Sequence, residues 1–94
     1  MFTEDLTDFI DTAEHADSIN FDGTIVDAVV ESTMYETMEG NRTIEVTKVL
    51  YIDSLLITTP VSGQRVKVDT VDHIVASVEN QVGLLVIAVG RLSA

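Results

Sequence analysis

The fold of this chain is decided by its last third, where Gly63 to Arg91 reads GQRVKVDTVDHIVASVENQVGLLVIAVGR. Runs rich in Val, Ile and Leu alternate there with short polar stretches, a pattern typical of strands joined by tight turns. The pattern predicts strands at Gln64–Val68, His73–Val78 and Leu84–Arg91, with turns at Asp69–Asp72 and Glu79–Gly83. Consecutive strands joined in this way form a β-meander.

Two further strands are predicted upstream of the meander. One runs from Thr24 to about Glu31 after the turn signal Asp22-Gly23, and the other covers Thr43–Ile52. Asp27 interrupts the first of them, and we expect this carboxylate at a sheet edge or facing solvent because an unpaired buried charge is too costly. The segment Leu55–Thr58 fits either a strand or a single helical turn. The sequence therefore predicts a mainly β (α+β) fold, a small antiparallel barrel or sandwich of five or more strands.

Residues 1–17 are predicted to form one helix in front of a β body at 23–91, within a single domain of residues 1–94. Leu6, Phe9, Ile10 and Ala13 recur at three- and four-residue spacing and form one apolar stripe. Thr3 is a suitable N-cap for this helix. We expect the stripe to pack on the β body and the carboxylates of the other side to face water.

The net charge of −11 is confined to the first 41 residues, which carry eleven acidic residues and neither Lys nor Arg. Negative charge of this size disfavours binding to phosphate backbones and to anionic membranes. The partners that remain are basic proteins, cations, further copies of the chain, or DNA that passes without binding. Because no basic and apolar leader precedes the acids and no apolar run is long enough to span a membrane, we expect a soluble protein made in the cytoplasm.

Two segments carry more apolar surface than one small core needs. The predicted eleven-residue loop Ser32–Arg42 contains Met34, Tyr35 and Met38, and it is either a flexible hairpin tip or an arm that buries these side chains against a neighbouring subunit. The run Leu84–Val89 is apolar on both faces. It is either a central strand covered on both sides or a strand that completes its burial against another subunit.

Residues that carry catalysis or bind metals are sparse. The chain has no Cys, two His and only isolated Gly residues, which excludes thiol nucleophiles, thiolate zinc sites and phosphate-binding glycine loops. His73 lies near Asp69 and Asp72, but no further ligand stands at a recognisable spacing, and we expect its ring to pack against a neighbouring side chain. The sequence predicts no catalytic residue, no cofactor and no metal site.

These segments together resemble the small head-tail joining proteins of long-tailed bacteriophages, the lambda-type neck family of connector and stopper proteins. The resemblance spans the acidic N-terminal segment, the strand led by Asp22-Gly23, the stretch Gly40-Asn41-Arg42-Thr43-Ile44-Glu45-Val46, and the meander that ends at Gly90-Arg91. The chain differs from the family pattern at Thr70, where a Gly is usual, and at His73, where an aromatic residue is usual.

The resemblance implies a structural virion protein without enzymatic activity, assembled in the host cytoplasm and located in the head-tail neck. Such proteins form homo-oligomeric rings, commonly hexamers, between a portal or adaptor protein and a tail terminator or tail-tube protein, and DNA passes through the ring without specific binding. The residues then expected at subunit or tail interfaces are Met34, Tyr35, Met38, Leu85 and Ile87. The acids then expected to face the channel are Glu4, Asp8, Asp11, Asp22 and Asp27.

Other functions stay open on the sequence alone. Tail-terminator and tail-tube proteins share part of the strand-and-turn pattern. An acidic DNA mimic that occupies the cationic groove of a nuclease or repressor fits the charge and the small size. A metal-dependent enzyme has only His73 and the acids beside it in support.

Overall fold

The computed structural model describes residues 16–93, in which six antiparallel strands close into a barrel in the order β1-β2-β3-β6-β5-β4. The strands are β1 (Ala16–Phe21), β2 (Thr24–Glu39), β3 (Arg42–Asp53), β4 (Arg65–Val68), β5 (Val71–Gln81) and β6 (Leu84–Leu92). The predicted mainly β class and barrel are confirmed. The helix predicted over residues 1–17 lies outside the described residues, except that Ala16 and Asp17 belong to β1. Within residues 16–93, no helix has the length and hydropathy needed to cross a membrane.

The structure confirms the meander and corrects the segments before it. β4, β5 and β6 are neighbours in that order, and β3 corresponds to the strand predicted at Thr43–Ile52. The predicted loop Ser32–Arg42 is wrong, because β2 continues to Glu39 and only Gly40 and Asn41 form the turn. β1 was not predicted at all, since its six residues bury only Ile19 and Phe21. The segment Leu55–Thr58, for which the sequence left a strand and a single helical turn open, lies in the connection between β3 and β4.

Three hairpins close through two-residue turns in which both central residues have positive φ. These turns are Asp22-Gly23, Asp69-Thr70 and Val82-Gly83. Positive φ at both positions is the property of type I′ turns, whose twist matches that of the flanking strands. The β-branched residues Thr70 and Val82 adopt this conformation at φ 75° and φ 53°, where L side chains are strained.

The barrel interior is filled by apolar side chains that alternate along the strands. Twelve of them form the main core: Ile19, Phe21, Val26, Ala28, Leu50, Ile52, Val66, Val68, Val75, Leu85, Ile87 and Val89. Ile57, from the connection between β3 and β4, packs against this core as a partly buried residue. Every strand contributes to the interior, so the core is continuous around the barrel.

The barrel closes at a short seam between β1 and β4. Only Phe21 and Val68 are paired across it as strand residues. The adjoining turns extend the seam, because Asp22 N–H donates to the Lys67 carbonyl at 2.6 Å and Asp69 N–H donates to the Asn20 carbonyl at 2.8 Å. The Asp69 carboxylate accepts a hydrogen bond from Asn20 N–H at 2.9 Å, and the Asp22 carboxylate accepts one from Lys67 N–H at 3.3 Å. Two aspartates thus bind the backbone of the opposite strand.

β2, β3 and β5 each contain one extra residue relative to the strand they pair with. The irregularities lie between Ser32 and Tyr35, between Val46 and Lys48, and between Val75 and Ser77. β-Bulges of this kind bend a strand and increase its twist. At the bulge of β3, its backbone lies directly against Gly90 of β6, so that an added Cβ at Gly90 would stand 1.9 Å from the Glu45 carbonyl oxygen.

Gly90→Ala is expected to lower the free energy of unfolding by at least about 3 kcal/mol, because the new methyl group overlaps backbone that cannot move aside. Chemical denaturation followed by far-UV circular dichroism measures the change. Ser77→Ala, an exposed position near the bulge of β5, is the control and is expected to stay within about 0.5 kcal/mol of the parent. A Gly90→Ala variant as stable as the parent contradicts the close approach of β3 and β6.

Thr70→Gly is expected to raise the free energy of unfolding by about 0.5–1 kcal/mol, because relief of left-handed strain exceeds the entropic cost of glycine. The same denaturation measurement applies. Thr59→Gly, at an exposed loop position without positive φ, removes a threonine but no strain and is expected to destabilise the protein slightly. Equal effects at the two positions contradict the argument from strain.

Candidate functional site

Beyond the bulges of β2 and β3, the hairpin of these strands forms an arm of residues 33–46. On one side of it, Ile44 and Val46 are fully buried and pack with Ile74, Ala76 and Ala88 in a second, smaller core. At the tip, Glu39 and Arg42 form an ion pair at 2.9 Å. The predicted loop is therefore a paired hairpin whose β3 side packs with β5 and β6.

The arm carries the exposed apolar side chains that the sequence singled out. Met34 is 70% exposed, Met38 is 62% exposed and Tyr35 is 45% exposed. Met38 also accepts a hydrogen bond at its Sδ from the Thr43 hydroxyl across the hairpin at 3.2 Å. Exposed methionine and tyrosine side chains adapt to a partner surface and bury large area at low entropic cost. Their role as an interface stays a prediction.

The acids on and beside the arm are bonded within the chain. Glu31 accepts a hydrogen bond from the Tyr51 hydroxyl, Glu36 one from the Ser93 hydroxyl and Glu39 one from Arg42. Glu45 pairs with Arg91, with the guanidinium Nη2 at 2.6 Å from Oε1. Two of these four carboxylates, Glu39 and Glu45, are paired with arginines, which offset their negative charge, whereas Glu31 and Glu36 accept hydrogen bonds from neutral hydroxyls and keep theirs.

Next to the arm, the Tyr51 hydroxyl of β3 donates a hydrogen bond to Glu31 of β2, with 2.5 Å between the hydroxyl oxygen and Oε1. The hydrogen bond to Glu31, together with burial and the negative charge of the same carboxylate, raises the pKa of Tyr51 to about 12. The phenolate is disfavoured because it loses the hydrogen bond that the phenol donates and faces a second negative charge.

One edge of β2 has no strand partner among residues 16–93. β1 pairs with β2 only from Thr24 to Val29, and β3 occupies the other edge of β2. The backbone from Val30 to Glu39 is therefore the longest strand edge without a strand partner among residues 16–93; a shorter one lies on β5 beyond the residues that pair with β4. An open edge offers backbone donors and acceptors to an added strand.

A second exposed apolar patch, the turn patch, lies at the opposite end of β3 and was missed by sequence reasoning. It consists of Leu55 and Val82, which are 90% and 70% exposed. The Ser54 N–H donates to the Gly83 carbonyl at 2.9 Å, which places Leu55 and Val82 beside the same hydrogen bond. Two features of the sequence could have indicated this patch: Val82 stands in a turn, and Leu55 and Leu56 directly follow the polar pair Asp53-Ser54.

Two predicted interface residues are wrong. Leu85 and Ile87 are fully buried in the barrel core, because β6 is the central strand between β3 and β5 and points these side chains inward. Of the acids expected to face a channel, Asp22 and Asp27 are exposed, as predicted for Asp27. Glu4, Asp8 and Asp11 lie outside the described residues.

The described residues assemble no catalytic or metal-binding constellation. His73 is buried on β5 with its Nδ1 at 2.9 Å from the Val71 carbonyl oxygen, as expected for a ring packed in the hairpin. In residues 16–93, no group of three or more His, Asp or Glu side chains is arranged to hold a metal ion. The clefts are shallow, and one of 510 Å³ lies at the arm beside Glu36, Arg42 and Leu92.

Comparisons of the chain with protein-family models, with curated proteins and with solved structures gave no match. The functional conclusion therefore depends on the geometry of the arm, the open edge and the turn patch.

A Tyr35→Phe variant leaves Tyr51 as the single tyrosine and is expected to titrate near pH 12, about two pH units above an unperturbed tyrosine. Because folding raises the pKa of Tyr51, its hydrogen bond to Glu31 contributes fully to the free energy of unfolding below pH 10. This contribution is lost as the pH rises from about 10 to about 12. Absorbance at 295 nm measures the titration, with circular dichroism to verify that the protein stays folded.

Adding Glu31→Gln to this variant removes the carboxylate, and we expect the midpoint to move back toward pH 10. An unchanged midpoint in the folded double variant contradicts the assignment of the shift to Glu31.

Proposed function

We propose that this protein is a head-tail connector of a tailed bacteriophage or prophage, a stopper or neck protein that forms a ring between the DNA-filled head and the tail. The observation that carries the proposal is the arm, on which Met34, Tyr35 and Met38 are exposed beside the open edge of β2. The resemblance of the meander and of the stretch from Gly40 to Val46 to lambda-type neck proteins supports it.

The surfaces support association of several copies. A closed barrel has few free edges, so the open edge of β2 is where a neighbouring chain can add backbone hydrogen bonds. The arm and the turn patch are two different apolar surfaces at opposite ends of β3. Contacts between unlike surfaces are heterologous, and repeated heterologous contacts close into rings when the rotation permits. A hexamer is the favoured stoichiometry in this proposal.

The remaining features fit the same role. In the proposal, residues 1–17 include an amphipathic helix, and the acids Glu4, Asp8, Asp11, Asp22 and Asp27 line the passage. Negative walls repel duplex DNA and keep it from binding during passage. The protein has no enzymatic activity and no cofactor, contacts the portal or adaptor on one side and the tail terminator or tube on the other, and resides in the virion neck after assembly in the host cytoplasm.

The alternatives differ in what they require of these surfaces. A tail-terminator or tail-tube ring uses the same kinds of subunit contact and differs in its position in the particle. An acidic DNA mimic requires unpaired carboxylates spaced like phosphates, whereas Glu39 and Glu45 of the arm are paired with Arg42 and Arg91. The mimic is therefore less favoured than a ring protein.

The double variant Met34→Glu/Met38→Glu is expected to enter purified tailed particles at least about tenfold less than the parent, because two central interface side chains become charged. Quantitative mass spectrometry of particles from the host strain measures incorporation. Cryo-electron microscopy of the parent particles is expected to place a ring of this chain at the head-tail junction.

Val71→Glu is the matched control, since Val71 is 57% exposed but lies on β5, outside the arm and the turn patch. It is expected to enter particles like the parent. Absence of the parent chain from mature particles rejects the connector proposal, and a ring found within the tail tube or at its end supports the alternatives instead. Equal incorporation of the double variant and the parent rejects the arm as the interface.

A further inference from the structure

Arg65 lines a groove of about 170 Å³ that is formed by β4, β5 and β6. The strand register places Arg65, Ile74 and Gly90 side by side across these three strands. Ile74 is buried and Leu92, which also lines the groove, is 41% exposed, so the lining next to Arg65 is apolar. Arg65 itself is exposed.

The other charged side chains of this groove are compensated within the chain. Asp72 lies 3.9 Å from the Lys67 ammonium, and Arg91 pairs with Glu45 at 2.6 Å. Arg65 forms no ion pair with a carboxylate among residues 16–93. The groove therefore offers one uncompensated positive charge beside an apolar lining, which suits an occupant that joins a carboxylate to an apolar side chain.

Ile25 and Asp27 present this combination on the outside of β2. Val26 and Ala28 belong to the main core, so Ile25 and Asp27 point away from it. Ile25 is 66% exposed and belongs neither to the arm nor to the turn patch. Residues two apart on a strand are about 7 Å apart, and neighbouring strands are roughly 5 Å apart. The distance from Ile25 to Asp27 is therefore similar to the distance from the apolar lining to Arg65.

Asp27 and Arg65 cannot pair within one copy. β1 lies between β2 and β4, and Phe21 pairs with Thr24 on one side and with Val68 on the other. Because β2 and β4 are both antiparallel to β1, Asp27 and Arg65 lie three residues from this row in opposite directions. Six residues along the strands correspond to about 20 Å, more than the two side chains span. An ion pair between them therefore joins two copies.

We infer that Ile25 and Asp27 of one copy dock in the groove of a second copy, with the Asp27 carboxylate at the Arg65 guanidinium and Ile25 against Ile74 and Leu92. The charges favour a second copy as the occupant, because all bases of the chain follow an acidic stretch of 41 residues that contains none. The acidic surface of β2 thus finds its complement on β4 of another copy.

This contact rests on the ring of the proposed function, to which it adds a subunit interface. The two surfaces are different, so the contact is heterologous and repeats from copy to copy. Asp27 stands at the margin of the interface that borders the passage, and it acts there both in the subunit contact and in the acidic wall.

Exchanging the two charges tests the contact in the purified chain. Asp27→Arg and Arg65→Asp each place like charges against each other, and we expect each to weaken self-association at least about tenfold in sedimentation-velocity titrations. The double variant Asp27→Arg/Arg65→Asp restores opposite charges and is expected to associate like the parent. Asp17→Arg is the control, because it makes the same change of net charge at another exposed position, and it is expected to associate no more weakly than the parent.

Two results overturn the inference. One is a parent chain that stays monomeric up to about 1 mM. The other is a double variant that associates as weakly as the single variants. Circular dichroism of each variant verifies that the barrel is folded.

Salt provides a second readout of the same contact. At about 1 M salt the Debye length is about 3 Å, so the difference between each single variant and the parent is expected to shrink. Ile25→Ser removes the apolar part of the contact and is expected to weaken association at least about fivefold at low and at high salt. Single-variant effects that are independent of salt contradict the ion pair.

Self-association in solution does not involve the phage particle, so this contact and the connector proposal fail separately. Absence of the parent chain from particles rejects the connector and leaves the charge-exchange result standing. A double variant that does not regain association rejects the contact, even when the parent chain is present at the head-tail junction.

Discussion

The structure depends on the closure of the barrel between β1 and β4. This seam has a single strand pair, Phe21 with Val68, and its further strength comes from the two flanking turns. Asp22 and Asp69 each donate a backbone N–H across the seam and each accept a backbone N–H with the carboxylate. Without these contacts the sheet has two more open edges, and its inward side chains lose the enclosure that makes them a core.

Closure also determines which surfaces remain for other molecules. Once β1 and β4 meet, the longest open edge within residues 16–93 is that of β2 beyond Val29. In the arm, Ile44 and Val46 are buried with Ile74, Ala76 and Ala88 of β5 and β6, whereas Met34 and Met38 stay exposed. Part of the arm is therefore packed within the chain, and another part of the same arm stays exposed.

The elements that sequence reasoning missed have short or mixed patterns. β1 has only two buried side chains in six residues, and it is a strand because β2 and the Asp69 turn supply its hydrogen bonds. The second half of β2, beyond Glu31, is polar and contains a bulge, so its sequence lacks the apolar–polar alternation of a strand. It forms a strand because it pairs with β3. Leu85 and Ile87 were assigned to an interface because local apolarity does not reveal that β6 lies between β3 and β5.

By itself, the sequence determined the mainly β class, the meander, the tight turns and the exposed position of Asp27, because alternation and turn residues act over a few neighbours. It also identified Met34, Tyr35 and Met38 as apolar side chains without an evident place in the core. Only the tertiary structure decided that the barrel closes at β1 and β4, that four acids on and beside the arm are bonded within the chain, and that Val29 and Leu84 are buried together. These features depend on contacts between residues distant in sequence, for which local periodicity carries no information.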